Sequence, residues 1–184
     1  MKNLKTNYSI LLATFLFPFL VNSQEVDNSK KSTNLKKHEL KFGGVKLLAV
    51  KIFECTYEYV PSKDFSYGAS VLFNLDSKNG FNEDFSITPF GRFYFQESKE
   101  YGAYGFFVEG FLKLATGKIS DNYLSPDSSK YTSGGYGLSL GRKWVNNSGF
   151  TLELLVGGAR GFGDGTNSPA GYFRGDINIG YQFN

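Results

Sequence analysis

The side chains able to do chemistry are few, and their spacing does not assemble a catalytic site. One histidine and one cysteine exclude, by count, a multi-histidine metal site, a cysteine-rich metal knuckle and a disulfide framework. Hydrolysis of a lipid needs a nucleophile beside a base, and the only imidazole, His38, opens the ordered region, at the opposite end of the strands from the long polar loops. Glu109 and Glu153 have the residue type for general acid–base work. Both alternate with apolar neighbours, which puts them on the inner face of a sheet rather than in an open cleft. Gly157-Gly158-Ala159-Arg160-Gly161-Phe162-Gly163 has the glycine content of a phosphate loop without its spacing or its strand-to-helix setting. Residues 76–84 and 164–167 are dense in oxygen ligands, but ordinary turn chemistry accounts for them better than calcium does. The residues therefore predict no enzyme, no cofactor and no resident metal.

The elements that carry these side chains come next. The chain has 184 residues, 17% of them aromatic and 22 of them glycine. Residues 1–23 read as a secretory signal: Lys2 and Lys5, a short apolar run from Ile10 to Val21 broken by Pro18, then small residues at Val21-Asn22-Ser23, leaving Gln24 as the new terminus. That run is too short to span a bilayer as an anchor helix, and no cysteine follows it for lipid attachment. Losing Lys2 and Lys5 takes Lys+Arg from 20 to 18 against 17 acids, so a formal +3 becomes +1 and nothing points to a nucleic-acid partner. An exported chain tolerates the lone Cys55, which has no second thiol to misbridge with. Residues 24–37 are polar, lysine-rich and free of aromatics, which reads as a flexible lead.

From 38 to 184 the pattern has period two, strand after strand. Phe65, Tyr67, Ala69, Val71, Phe73 and Leu75 oppose Ser66, Gly68, Ser70, Leu72 and Asn74. At the other end of the chain Phe173, Gly175, Ile177, Ile179, Tyr181 and Phe183 oppose Tyr172, Arg174, Asp176, Asn178, Gly180 and Gln182. The same alternation runs through 53–59, 85–95, 106–114, 136–141 and 150–156. The first strand, 38–50, is less regular, and a bulge at Gly43-Gly44 would bring Leu40, Phe42, Val45 and Leu47 onto one face. Eight strands result.

The apolar face must meet either a protein core or lipid. The other face is rich in glycine and serine with a few opposite charges, which suits a crowded lumen better than a wet surface. Strands near ten residues match a tilted bilayer crossing. Tyr59, Phe65, Phe95, Phe106, Trp144, Phe150, Tyr181 and Phe183 gather at one end of their strands, as an interface girdle does. Connections at the opposite end are long (76–84, 117–131, 161–171) apart from a short one at 49–51, and two turns at the girdle end are short (60–64, 145–149), although 96–104 is long. Inside, Phe95 opposite Phe106 sets Arg92 opposite Glu109, and Glu153 lies three positions above its own turn. Arg92, Glu109 and Glu153 are thus predicted to share one lumen charge network with Lys113, Arg174 and Asp176.

The chain resembles the small OmpA/OmpX-type outer-membrane barrels, and more specifically an uncharacterised bacterial family catalogued as a domain of unknown function. The residues that carry the resemblance are His38-Glu39-Leu40-Lys41, Ser86-Ile87-Thr88-Pro89-Phe90 to Tyr94-Phe95, Gly105-Phe106-Phe107-Val108-Glu109-Gly110-Phe111, Gly141-Arg142-Lys143-Trp144 and Asn178-Ile179-Gly180-Tyr181-Gln182-Phe183. It departs from many such barrels in that Asn184 follows the closing aromatic. The resemblance implies an all-β, eight-stranded antiparallel up-and-down transmembrane β-barrel over 38–184 in the cell outer membrane of a Gram-negative bacterium, a monomer with outer-membrane lipid and the barrel insertion machinery as partners. It implies a location and no reaction. Three function classes fit: a structural or loop-mediated interaction barrel, a narrow channel for ions or small solutes, and a secreted lipocalin-like carrier.

Overall fold

The computed structural model describes residues 36–76, 79–95, 103–120, 128–163 and 168–184. The expected signal at 1–23, most of the expected lead at 24–37, most of the expected turn 96–104 and parts of the expected loops 76–84, 117–131 and 161–171 lie outside the described residues. The elements are β1 (His38–Gly43), α1 (Gly44–Val50), β2 (Ile52–Tyr59), β3 (Phe65–Asn74), β4 (Glu83–Phe95), β5 (Gly105–Ser120), β6 (Ser128–Val145), β7 (Phe150–Phe162) and β8 (Gly171–Phe183). The strands pair with their neighbours in sequence order and close into a barrel. Closure is antiparallel, His38 standing opposite Phe183 on one side and Tyr59 on the other. The rim where the chain enters β1 and leaves β8 is called the near rim below, and the opposite one the far rim.

Alternation dictates which way each side chain points, because successive Cβ atoms leave a strand on opposite faces. In β4 the buried residues Ser86, Thr88, Phe90, Arg92 and Tyr94 interleave with exposed Ile87, Phe93 and Phe95. The polar set is therefore inside and the apolar set outside, the reverse of a water-soluble barrel. At the near rim the β6–β7 turn is held by Asn146, whose Oδ1 accepts from the Phe150 amide at 2.9 Å, and by Gly149 at φ 99°. An L side chain is strained there, so Gly149→Ala is expected to cost about 1–3 kcal/mol, read as a lower midpoint in urea-driven unfolding followed by tryptophan emission.

Two expectations are corrected. The first strand does not run through a bulge to Val50: β1 stops at Gly43 and Gly44–Val50 is helical. The run Val45-Lys46-Leu47-Leu48-Ala49-Val50 is apolar at both parities, so it has no strand face to bury. Its helix start is stabilised from a distant strand, where Asp176 Oδ1 accepts from the amides of Val45 at 3.1 Å and Lys46 at 3.3 Å. The loop placed at 117–131 is also shorter. The β5–β6 ladder continues through Lys118 opposite Lys130 to Ser120 opposite Ser128, because backbone pairing needs no apolar face once two strands are already aligned.

Candidate functional site

The inward faces of seven strands deliver an unusual concentration of charge. Glu39, Glu54, Glu58, Glu83, Glu109 and Glu153 are buried together with Lys41, Arg92, Lys113, Lys143 and Arg174, and Lys46 of α1 reaches in to Glu54. Each charge sits on a strand whose other face is apolar, so the pleat leaves it nowhere to point but the lumen. A buried charge survives only if its partners replace the water it lost. Nearly every one here has two or more.

Nearest the near rim, Lys143 Nζ donates to Glu39 at 2.9 Å and Glu58 at 3.0 Å. Gln182 donates to Glu39 at 3.1 Å, and the Tyr94 hydroxyl to Glu58 at 2.7 Å. One layer further in, Arg92 spreads its fork over three carboxylates. Nε donates to Glu109 at 2.7 Å, Nη1 to Glu58 at 2.8 Å and to Glu153 at 2.7 Å, and Nη2 to Glu153 at 3.1 Å. Its guanidinium also lies 4.4 Å from the Phe90 ring centre and 4.5 Å from that of Phe107, contacts that favour the cation where water is absent. Lys41 bridges Glu58 and, at 2.7 Å, Glu153, and Asn178 donates to Glu153 at 3.0 Å.

Towards the far rim, Arg174 Nε takes the other Glu109 oxygen at 2.7 Å, while its remaining nitrogens reach Glu54 at 3.4 Å and Ser70 at 3.2 Å. Beyond them Lys113 pairs with Glu83 at 2.8 Å over the Tyr172 ring. At the near-rim mouth Val60 and Ala103 pack with Tyr94, Phe107 and Leu155. Charged and aromatic side chains thus fill the lumen at successive levels.

Of the residues singled out in the sequence, Arg92, Glu109, Glu153 and Arg174 come together in this column. Lys113 belongs to a separate pair nearer the far rim. Asp176 departs from the expected network: its described hydrogen bonds go to backbone amides, two of them in α1. Glu39, Lys41, Glu58 and Lys143 were missed, although they belong to the same column as Arg92. The signal was present, since each alternates with apolar neighbours as Arg92 does (Leu40, Phe42, Tyr57, Trp144). Only the mates were illegible.

Carboxylate oxygens of Glu39, Glu58 and Glu153 lie within 4.8 Å of one another, a spacing that suits a divalent cation. The Lys41 ammonium already stands among them, contacting Glu58 and Glu153 and lying 3.9 Å from Glu39. Arg92 and Lys143 add further positive charge to the same oxygens, so an added cation would have to displace a lysine. These carboxylates are buried, and every oxygen but Glu39 Oε1 accepts at least one hydrogen bond. The chemistry this arrangement performs is cohesion: it ties β1, β2, β4, β5, β6, β7 and β8 together through the lumen.

The outer surface carries the complementary pattern. Phe65, Phe95, Phe106, Trp144, Phe150, Tyr181 and Phe183 are exposed at the near rim, with Tyr59 half-exposed beside them. His38 joins them, stacked on Phe183, with Nδ1 2.7 Å from the Tyr57 hydroxyl. The Arg142 guanidinium lies 4.8 Å from the Phe106 ring centre and 5.0 Å from that of Trp144. A second set not singled out in the sequence lies towards the far rim: Phe73 against Phe85, with Phe53 opposite Phe73 on β2, and Phe162 with Tyr136 against it. Between the two sets most exposed large side chains are aliphatic, among them Ile87, Leu112, Leu138, Leu140, Leu154, Val156 and Ile179, with Tyr57, Tyr67 and Phe93 next to the near-rim set and Phe42 within the band.

Among solved structures the chain is similar to the N-terminal β-barrel domain of Pseudomonas aeruginosa OprF, with a TM-score of 0.57 and 13% sequence identity, over 81% of this chain and 98% of that one. The likeness is one of fold. No protein-family profile and no curated protein sequence matches the chain.

Proposed function

We propose that the chain is an integral outer-membrane protein of a Gram-negative bacterium, exported by its signal and inserted by the barrel insertion machinery as a monomer. Its eight strands cross the bilayer around a plugged lumen, and its role is structural or mediated by its loops, without catalysis. One observation carries this reading: two outward aromatic belts flank an aliphatic band around a charged interior. From Phe95 back to Phe85 the strand rises about 3.3 Å per residue, and a tilt near 40° leaves about 25 Å between the belts, the height of a barrel's lipid-facing band. Among the described residues no helix is long and apolar enough to cross a membrane. A lipocalin-like carrier would need the opposite facing. A channel would need a path past Arg92, Lys41 and Lys143, each locked between carboxylates.

Cell fractionation tests the location. The mature protein is expected with the outer membrane and to require detergent, and unboiled samples should migrate differently from boiled ones on a gel, because a closed barrel has no free strand edge from which to fray. Recovery as a stable soluble monomer would overturn the proposal. In planar bilayers the purified protein is expected to show no unitary conductance; steady channel openings would favour the pore.

A further inference from the structure

β1 is shorter than the strands on either side of it. Its ladder to β8 ends at Gly43 opposite Asn178, and its ladder to β2 ends at Phe42 opposite Cys55. Beyond that level β8 continues to Gly171 and β2 to Ile52 with no strand between them. The backbone groups along these two facing edges would meet lipid if nothing covered them, and in hydrocarbon each unsatisfied group costs several kcal/mol. Helix α1 follows β1 directly and packs on both β8 and β2. A helix pairs its interior backbone groups without a ladder, and here Asp176 and Asn79 take terminal amides and a terminal carbonyl, so the segment can close such a gap.

The two faces of α1 differ. Lys46, 15% exposed, turns inward to Glu54, while Val45, Leu47 and Leu48 are exposed, Leu48 at 77%. Three attachments fix this orientation. Asp176 caps the first amides, Lys46 holds Glu54, and Asn79 Nδ2 donates to the Val50 carbonyl at 2.6 Å. Phe53 of the far aromatic belt follows the helix on β2 with Phe42 of β1 packed against it, and Phe173 of β8 is exposed beyond. The apolar face of α1 therefore continues the belt across the gap where β1 is missing.

From this placement we infer that α1 is a segment of the barrel wall, clamped from inside by Asp176 and Glu54, with Val45, Leu47 and Leu48 in contact with lipid acyl chains at the far interface of the bilayer. The inference rests on the membrane-spanning reading above, and the test separates the two. Full-length mature protein carrying Trp144→Phe would be given a single new tryptophan, by Leu48→Trp, by Val45→Trp or, as a mid-belt reference, by Leu112→Trp. Each variant is folded into phosphatidylcholine vesicles with and without bromine on the acyl chains.

Emission from Leu48→Trp and Val45→Trp is expected at short wavelength, to be lost on bromination and to resist aqueous iodide. If both are quenched by iodide and untouched by bromine while Leu112→Trp is quenched by bromine, the helix lies in water, and the inference falls while the membrane reading stands. If Leu112→Trp is also untouched by bromine, both fall. Adding Asp176→Ala to Leu48→Trp is expected to shift emission to longer wavelength and open it to iodide, with Leu112→Trp unaffected by the same addition. Unchanged quenching would overturn the clamp.

Discussion

Arg92→Ala is expected to lower the stability of the folded barrel by about 3–5 kcal/mol, the cost of removing one member of a buried ion network and leaving its partners uncompensated. The magnitude belongs at the upper part of that range for a reason visible in the lumen. The guanidinium serves Glu58, Glu109 and Glu153 at once, and only Lys41, Lys143 and Arg174 remain to compensate them. Arg92→Lys keeps the charge but presents a point donor where a planar fork spans three carboxylates, so it should recover part of the loss and not all. The measurement is equilibrium unfolding in urea from detergent or lipid, with tryptophan emission as the signal. A double-mutant cycle with Glu109→Gln isolates the direct pair. Since Arg174 holds the other Glu109 oxygen, the single change at Glu109 also frees Arg174, which the cycle subtracts. A coupling near zero would remove the direct pair, and the case against a conducting path would weaken with it.

The second large effect lies on the opposite face. Leu112→Arg is expected to cost about 2–4 kcal/mol if the outer surface is in lipid, the penalty for a guanidinium near the bilayer midplane of a barrel. Leu112 suits the test because it is exposed and stands six positions from the near-rim aromatic Phe106, among the aliphatic side chains between the belts. Ile177 has the same parity but is half-buried beside the start of α1, so an arginine there would mix lipid and packing terms. Ser139→Arg is the matched inward control. Ser139 is buried beside Glu109 and Gly157, and its cost should come from crowding and added positive charge, insensitive to bilayer thickness. Unfolding midpoints in vesicles of short and long acyl chains separate the two. An unchanged midpoint for Leu112→Arg in both would overturn the assignment of that face to lipid.

Much of this architecture was legible in the residues because it is local. Facing follows from the pleat, which has period two in any strand, so serine, glycine and charge at one parity with rings and leucines at the other already state an inverted barrel. The register of β4 against β5 follows by counting back from the turn between Phe95 and Phe106, and Arg92 opposite Glu109 is a consequence of that count. The aromatic set at the near rim follows from strand ends, which turns mark. The far set was overlooked because the strands there end raggedly, β5 and β6 running well beyond their apolar stretch.

What the chain could not state locally is who meets whom across the lumen. Lys41 and Glu153 are 112 positions apart, and no turn connects their strands. They meet because β1 pairs with β8 and the barrel closes with one particular stagger, a property of all eight strands together. The same closure brings Asp176 to the first turn of α1, 131 positions from Val45, and so turns a run that reads as irregular strand into helix. Parity along each strand was determined by the sequence alone, because it depends only on the sp³ geometry of successive residues. Partnership across the barrel was decided by the tertiary structure, because it depends on how far each strand slides past the next before the sheet closes.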